Sequence, residues 1–218
     1  MGIESVIFDL DGTLLDTTEG VIESAKFAAR VLGYADLSYE TMLKFVGPPI
    51  QNSFVQFYNC SKEKAQEAAE LFRTYYKTTA LIKAVPYKGI FELCETLQRK
   101  GKKMAVATYK REDYAVTLLK HFEFDRYCHS MHGADNNNVL KKADIIDLCI
   151  SELGGSRSEF VLVGDTEHDA IGAQNADINF IGVTYGFGFK SEDDVNVYPN
   201  IGVARTPLEV LKIINGGQ

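Results

Sequence analysis

The chain has 218 residues, of which 45% are apolar and 24% are charged. This composition is typical of a soluble globular protein and excludes a disordered chain, and no apolar stretch approaches the ~20 residues of a membrane-spanning helix. The net charge of -7 argues against nonspecific nucleic-acid binding, which depends on Lys and Arg neutralising phosphates. We therefore expect a globular protein with neither a nucleic acid nor a membrane as partner.

The cysteines and the N-terminus predict a cytoplasmic location. The four cysteines, at positions 60, 94, 128 and 149, form neither a zinc-binding pair nor a redox pair. Reduced and mostly buried thiols are typical of cytosolic proteins. The first residues lack the basic and apolar segments of a signal peptide.

Four short apolar runs predict buried strands. They are rich in Val, Ile and Phe, are too short for helices, and cover residues 6–8, 104–107, 160–163 and 178–183. Helical patterns alternate with them after Lys103, as at 114–121 and 145–153. This alternation favours an α/β protein with a Rossmann-like, doubly wound parallel sheet that carries helices on both faces.

A long insertion separates the first two predicted strands. They begin at residues 6 and 104, whereas one β-α-β unit takes only ~30 residues. Apolar residues in the insertion recur with helical spacing, and Gly33 and Ser61 are suited to end one helix and begin another. We therefore predict a small helical cap, or lid, over residues 16–84, inserted into a core formed by residues 1–15 and 85–218.

Polar residues follow three of the predicted strands, at the edge where open parallel sheets bind ligands. Asp9-Leu10-Asp11-Gly12-Thr13 follows the first, Thr108-Tyr109-Lys110 follows the second, and Gly164-Asp165 with Asp169 follows the third. Four carboxylates in one cleft repel each other, and a hard divalent cation such as Mg²⁺ relieves that repulsion. A cation and a lysine would also attract a phosphate group to this acidic chain.

The pattern of residues 9–13 resembles the first motif of the haloacid dehalogenase superfamily, and about 0.004 copies of it are expected by chance. Thr108 is similar to the second motif, Lys142 to the third, and Gly164-Asp165 with Asp169 to the fourth. The resemblance covers nearly the whole chain and includes a helical cap after the first motif. It is greatest to the phosphoglycolate-phosphatase-like branch.

Two positions depart from the pattern of that branch. The second motif commonly reads Thr-Ser-Lys-Pro, whereas this chain has Thr108-Tyr109-Lys110-Arg111, so we expect the bulky Tyr109 to reshape the pocket. The third motif here lacks the proline that often follows its lysine. Lys142 fits the proline-free variant better, and Lys141 remains the alternative.

The resemblance implies a Mg²⁺-dependent phosphatase and assigns a role to each matching residue. Asp9 would attack phosphorus and become an aspartyl-phosphate. Asp11 would protonate the leaving oxygen and then deprotonate the attacking water. Thr108 and Lys142 would bind the phosphoryl oxygens, with Lys142 also part of the catalytic machinery. Mg²⁺ would be held by Asp9, the Asp11 carbonyl and Asp165, and Asp169 would support it directly or through water.

The substrate class stays open at this stage. Phosphoglycolate, a nucleoside 5'-monophosphate, a sugar phosphate and pyrophosphate all fit a small phosphorylated metabolite enclosed by a lid. A sugar-phosphate mutase similar to β-phosphoglucomutase is the alternative function. A phospho-accepting signalling domain is disfavoured, because such domains are shorter and carry their acceptor Asp beyond a later strand. We expect a monomer or a weak homodimer.

Overall fold

The computed structural model describes residues 2–135 and 139–216, and the chain divides into two compact units. Unit 1 comprises Met1–Asp16 with Pro86–Gln218, and unit 2 comprises Thr17–Val85. None of the helices in these described ranges is long and apolar enough to cross a membrane. That unit 2 acts as a lid stays a prediction.

Unit 1 is organised around parallel strands. In chain order the strands are β1 (Ser5–Phe8), β2 (Leu15–Asp16), β3 (Val85–Pro86), β4 (Lys103–Arg111), β5 (Ser130–Ala134), β6 (Phe160–Gly164), β7 (Asn179–Val183) and β8 (Gly202–Ala204). Six of them form one sheet in the order β5-β4-β1-β6-β7-β8, with every neighbouring pair parallel. The short strands β2 and β3 pair with each other.

Unit 2 is helical. Its helices are α1 (Thr18–Val31), α2 (Tyr39–Leu43), α3 (Ile50–Tyr58) and α4 (Lys62–Tyr75), and a π-helical turn, Tyr76–Ala80, follows α4. Gly33, at φ +75°, lies just past the end of α1, and the Ser61 hydroxyl accepts a hydrogen bond from the Lys64 N–H at the start of α4. Both residues therefore occupy the positions that the sequence predicts for them.

The helices of unit 1 are α5 (Ile90–Arg99), α6 (Glu112–His121), α7 (Lys142–Leu153), α8 (Glu167–Asn175), α9 (Glu192–Asn196) and α10 (Pro207–Ile214). Side chains alternate between the two faces of β1, so Ile7 joins a buried cluster with Ile146 of α7 and Ala173 of α8, while Val6 and Phe8 are buried on the other face. The predicted α/β architecture is confirmed.

The central strands of the sheet decide where chemistry can occur. Phe8 is in register with Val106 of β4 and with Val163 of β6. Because these three strands are adjacent and parallel, their carboxyl ends lie side by side. The residues that follow them are therefore brought to one edge of the sheet.

Candidate active site

The first-motif loop is a tight turn directly after β1. The Asp9 N–H donates to the Val163 carbonyl at 2.9 Å, which continues the β1–β6 pairing by one residue. The Leu10 carbonyl then accepts hydrogen bonds from the N–H groups of Thr13, Leu14 and Leu15. These hydrogen bonds fix the turn, and the turn places Asp9 at the edge of the sheet.

Gly12 is required in this turn for two reasons. Its φ of +83° lies in the left-handed region, which side chains with a Cβ rarely adopt. A Cβ built on it would lie 2.2 Å from Oδ2 of Asp165. The glycine of the first motif therefore allows the β1 loop to approach the carboxylate that follows β6.

Three carboxylates form a compact buried group, which we call the acidic triad: Asp9, Asp165 and Asp169. One oxygen from each lies within 4.8 Å of the others, and all three side chains are buried. Oδ2 of Asp165 accepts hydrogen bonds from the N–H groups of Phe187 and Gly188, at 2.7 and 3.0 Å. Oδ1 of the same residue is buried and has no hydrogen-bond partner within the described residues.

Asp169 is held at the start of α8 by a local capping interaction. Its Oδ2 accepts hydrogen bonds from the Thr166 N–H at 3.0 Å and from the Thr166 hydroxyl at 2.7 Å. Its other oxygen is thus left for the group that it forms with Asp9 and Asp165. The four-residue spacing of Asp165 and Asp169 thus reflects a strand end followed by the first turn of a helix.

Burial raises the pKa of two carboxyl groups of the triad, Asp9 and Asp165. Removal from water raises the pKa of Asp9 to about 8, a rise that Lys142 opposes and that the charges of Asp169 and Asp165 reinforce. Burial, followed by the charge of Asp169, raises the pKa of Asp165 to about 7. A group of this kind favours a cation, because a cation offsets both the desolvation and the mutual repulsion.

Lys142 is the first residue of α7 and supplies one positive charge to the triad. Its side chain is only 2% exposed, and its Nζ lies 2.6 Å from Oδ1 of Asp9 and 2.7 Å from Oδ1 of Asp169. Burial disfavours the charged form, but Asp169 and Asp9 outweigh it and raise the pKa of Lys142 above its usual value. Lys141 is exposed, so Lys142 is the lysine that lies among the carboxylates.

An irregularity in β4 presents the second-motif residues to the site. The register between β4 and β5 shifts between Ala107 and Arg111, and such bulges redirect side chains. Thr108 lies in this stretch and is buried, with its hydroxyl accepting a hydrogen bond from the Lys110 N–H at 3.2 Å. The predicted phosphate-binding hydroxyl therefore lies at the same edge of the sheet as Asp9.

Asp11 is placed apart from the acidic triad. Its two carboxylate oxygens lie 3.0 and 3.1 Å from Nζ of Lys110, which is itself nearly buried. Sequence reasoning missed Lys110 as a partner of this carboxylate. The available signal was the period of two in a strand, which aligns Lys110 with Thr108 on one face.

Tyr109 also contacts the site. Its hydroxyl accepts a hydrogen bond from the backbone N–H of Lys142 at 2.9 Å, and its ring packs edge-on against His168 with the ring centres 5.6 Å apart. The side chain stays 44% exposed. The bulky residue that departs from the second-motif pattern therefore connects that motif to the helix that carries Lys142.

Comparison with known proteins identifies the family of this chain. The model of the haloacid dehalogenase-like hydrolase family matches residues 6–183. The chain is 33% identical to a 5'-nucleotidase of Pseudomonas aeruginosa over 89% of this chain and 87% of the relative. It is 30% identical to a phosphoglycolate phosphatase of Agrobacterium fabrum over 97% of this chain and 94% of the relative.

A solved structure extends the likeness to the whole fold. The haloacid dehalogenase-like family hydrolase of Streptococcus pneumoniae superposes with a TM-score of 0.87 at 29% identity, covering 96% of this chain and 97% of the other. The expectations of an α/β hydrolase and of this superfamily are thereby confirmed. The chain belongs to the haloacid dehalogenase-like hydrolase family.

Proposed function

We propose that this protein is a Mg²⁺-dependent phosphatase that hydrolyses small phosphomonoesters through an aspartyl-phosphate on Asp9. The observation that carries the proposal is the acidic triad in contact with Lys142 at the carboxyl ends of three parallel strands. When ionised, three buried carboxylates and one lysine leave a net negative charge, and a bound cation would make the site attractive to a phosphate dianion.

The triad fits a magnesium ion by its chemistry. Mg²⁺ prefers hard oxygen ligands and is usually bound by one or two carboxylates with water and substrate phosphate. Oδ1 of Asp165 is a buried acceptor with no hydrogen-bond partner among the described residues, as expected for a ligand atom. We propose that the ion is held by Asp9, the Asp11 carbonyl, Asp165 and Asp169. When bound, it would neutralise charge on the phosphoryl oxygens.

The residues of unit 1 divide the reaction into two steps. In the first, an Asp9 oxygen forms a bond to phosphorus while the bond to the leaving oxygen breaks, and Asp11 gives its proton to that oxygen. In the second, Asp11 takes a proton from water, whose oxygen attacks phosphorus and releases phosphate and the free Asp9 carboxylate. The Asp11 carboxylate is positioned for these steps by its contact with Lys110.

Thr108 and Lys142 are proposed to bind the phosphoryl oxygens. Phosphoryl transfer spreads charge over the three equatorial oxygens, and catalysis depends on positioned groups that stabilise this charge. Lys142 is held rigidly by two carboxylates, and Thr108 is buried beside the same strand ends. These residues would therefore need little reorganisation when the reaction occurs.

Phosphoglycolate and nucleoside 5'-monophosphates are the substrates we propose to test first, because relatives bear names for these activities. The assay measures phosphate release with Mg²⁺ and with EDTA, across these esters, sugar phosphates and pyrophosphate. Release from at least one of them, lost on chelation, is the expected result. If no compound releases phosphate, the phosphatase proposal is wrong, and interconversion of sugar-phosphate isomers is the next assay.

Asp9→Asn tests the nucleophile. We expect phosphate release to fall by at least about a thousandfold, because an amide cannot replace the carboxylate as nucleophile. The matched control is Asp36→Asn in unit 2, which makes the same change at an exposed carboxylate paired with Arg30. Equal activity in the two variants would contradict the aspartyl-phosphate mechanism.

A further inference from the structure

The hydrogen bond between Tyr109 and the backbone of Lys142 joins two parts of the site that are 33 positions apart in the chain. The N–H groups in the first turn of a helix have no partner within the helix. Lys141 precedes α7, and its side chain offers no acceptor atom to cap it. The Tyr109 hydroxyl supplies an acceptor for the N–H of Lys142 at 2.9 Å.

The remainder of Lys142 is held at two further points. A Cβ built on Gly172 of α8 would lie 2.4 Å from Cγ of Lys142, so the lysine stem packs directly on the bare backbone of that helix. The ammonium group lies between Asp9 and Asp169. The backbone, the stem and the charged end of Lys142 thus each have a separate contact.

We propose that Tyr109 is a positioning residue for Lys142, acting through its hydroxyl group on the first N–H of α7. This inference rests on the proposed function only in assigning Lys142 to the phosphoryl group. The hydroxyl determines the position of the lysine backbone, and the ring, whose centre lies 5.8 Å from Nζ, covers one side of the ammonium group. Small displacements of a charge-stabilising group cost rate, because its contacts must match the transition state.

Tyr109→Phe tests the proposal, because it removes the hydroxyl and keeps the ring. The matched control is Tyr198→Phe, which removes a tyrosine hydroxyl bonded at 3.2 Å to Glu167, at the start of α8. The first measurement is amide hydrogen exchange at Lys142 by NMR, which needs no substrate. We expect exchange at this amide to be about tenfold faster in Tyr109→Phe and unchanged in Tyr198→Phe. Unchanged exchange in Tyr109→Phe would overturn the proposal.

The second measurement separates positioning from helix stability. We expect Tyr109→Phe to lower kcat three- to tenfold and to leave KM within twofold, because the lysine acts on charge that develops in the transition state. A role confined to stabilising α7 would lower Tm and leave kcat at the wild-type value, and that result would overturn the proposal. Tyr198→Phe should match the wild-type kcat and KM.

The two measurements distinguish failure of this inference from failure of the proposed function. If the wild-type protein hydrolyses no phosphomonoester, the exchange experiment still reports whether Tyr109 holds the start of α7. If phosphate is released and Tyr109→Phe matches the wild-type protein in exchange and in kcat, the phosphatase assignment stands and Tyr109 has no positioning role.

Discussion

The two units differ in the kind of polar side chain that they bury. Among its described residues, unit 1 buries the charged side chains of Asp9, Lys142, Asp165 and Asp169. The polar groups buried in the described part of unit 2 are neutral hydroxyls, those of Thr17, Ser24, Ser53 and Tyr76. Burial of charge costs free energy that pairing recovers only in part. The buried charges of unit 1 therefore support the proposal that the reaction machinery lies in that unit.

Unit 2 is instead stabilised by aromatic packing and by ion pairs close to water. The rings of Phe45 and Phe54 meet edge-to-face at 5.6 Å, and Phe27 stacks on Tyr75 at 4.3 Å. Glu23 accepts from Lys83 at 2.5 Å with both side chains about one-third exposed. The ion pairs of unit 2 therefore do not have to offset the free-energy cost of burying charge. This difference between the two units can be tested by matched substitutions.

The largest contrast is expected for one lysine from each unit. Lys142→Met should lower the free energy of unfolding by about 3 kcal/mol, because removing one partner leaves buried carboxylates uncompensated. It should also reduce phosphate release by at least about a hundredfold. Lys83→Met should have a much smaller effect on stability, since Glu23 remains accessible to water. Urea titrations at pH 8 measure the free energy of unfolding of both variants. Equal losses of stability would show that the two lysines have equivalent surroundings.

The pH dependence of stability should have opposite signs in the two units. Asp9 and Asp165 have pKa values of about 8 and 7, above those of unfolded carboxyl groups, so the folded state binds more protons. Their contribution is fully present below about pH 4 and is lost as pH rises through 7 and 8. Hydrogen bonding to Lys83 lowers the pKa of Glu23, so its contribution is present at neutral pH and lost on acidification.

This difference predicts the effect of metal removal. In EDTA, the free energy of unfolding should be lower at pH 8 than at pH 5 by about 2 kcal/mol, because Asp9 and Asp165 lose their protons in a buried site where Lys142 supplies a single positive charge. Added Mg²⁺ should restore stability more at pH 8 than at pH 5, since protons compete with the ion at low pH. Urea titrations at both pH values provide the test. A magnesium effect that is larger at pH 5 would argue against a cation at the triad.

The sheet was predictable where its strands are central, and it was missed at its edges. The sequence predicted β1, β4, β6 and β7, because strands buried on both faces are continuous runs of Val, Ile and Phe. It missed β5, which reads Ser-Met-His-Gly-Ala, and β8, which has three residues. Edge strands need less apolar surface, so their composition does not distinguish them from loops.

The site residues could be placed by topology, but their contacts could not. Asp9 and Asp165 follow β1 and β6, and Thr108 lies in β4 two residues beyond the position in register with Phe8, so their convergence follows from the strand order. The sequence left the choice between Lys141 and Lys142 open, because it depends on which lysine faces the core at the start of α7. The period of two in a strand offered a signal for Lys110, but the contact of Tyr109 with the start of α7 lies beside a register shift in β4 that no pattern of residue types reveals.

A pair of helical glycines gives the smallest expected effects and the sharpest comparison of the units. Alanine favours a helix over glycine by about 1 kcal/mol, but overpacking costs about 1–3 kcal/mol. A Cβ at Gly20 of α1 would lie 2.4 Å from the Ala80 carbonyl oxygen, whereas one at Gly172 meets the stem of Lys142. Neither contact yields easily, because one partner is backbone and the other is the stem of a buried lysine that is held at both ends. Gly20→Ala and Gly172→Ala should therefore lower the free energy of unfolding by similar amounts, about 1 kcal/mol each.

The two variants should differ in activity. Gly172→Ala displaces the stem of Lys142 and should lower kcat more than Gly20→Ala, although the two cost similar stability. Steady-state kinetics below the Tm of both variants, together with urea titrations, measure both effects on the same preparations. If Gly172→Ala loses stability and keeps kcat, the packing of Lys142 on α8 contributes only to folding. If Gly20→Ala lowers kcat more, unit 2 contributes to the chemical step, and the division of roles between the units is wrong.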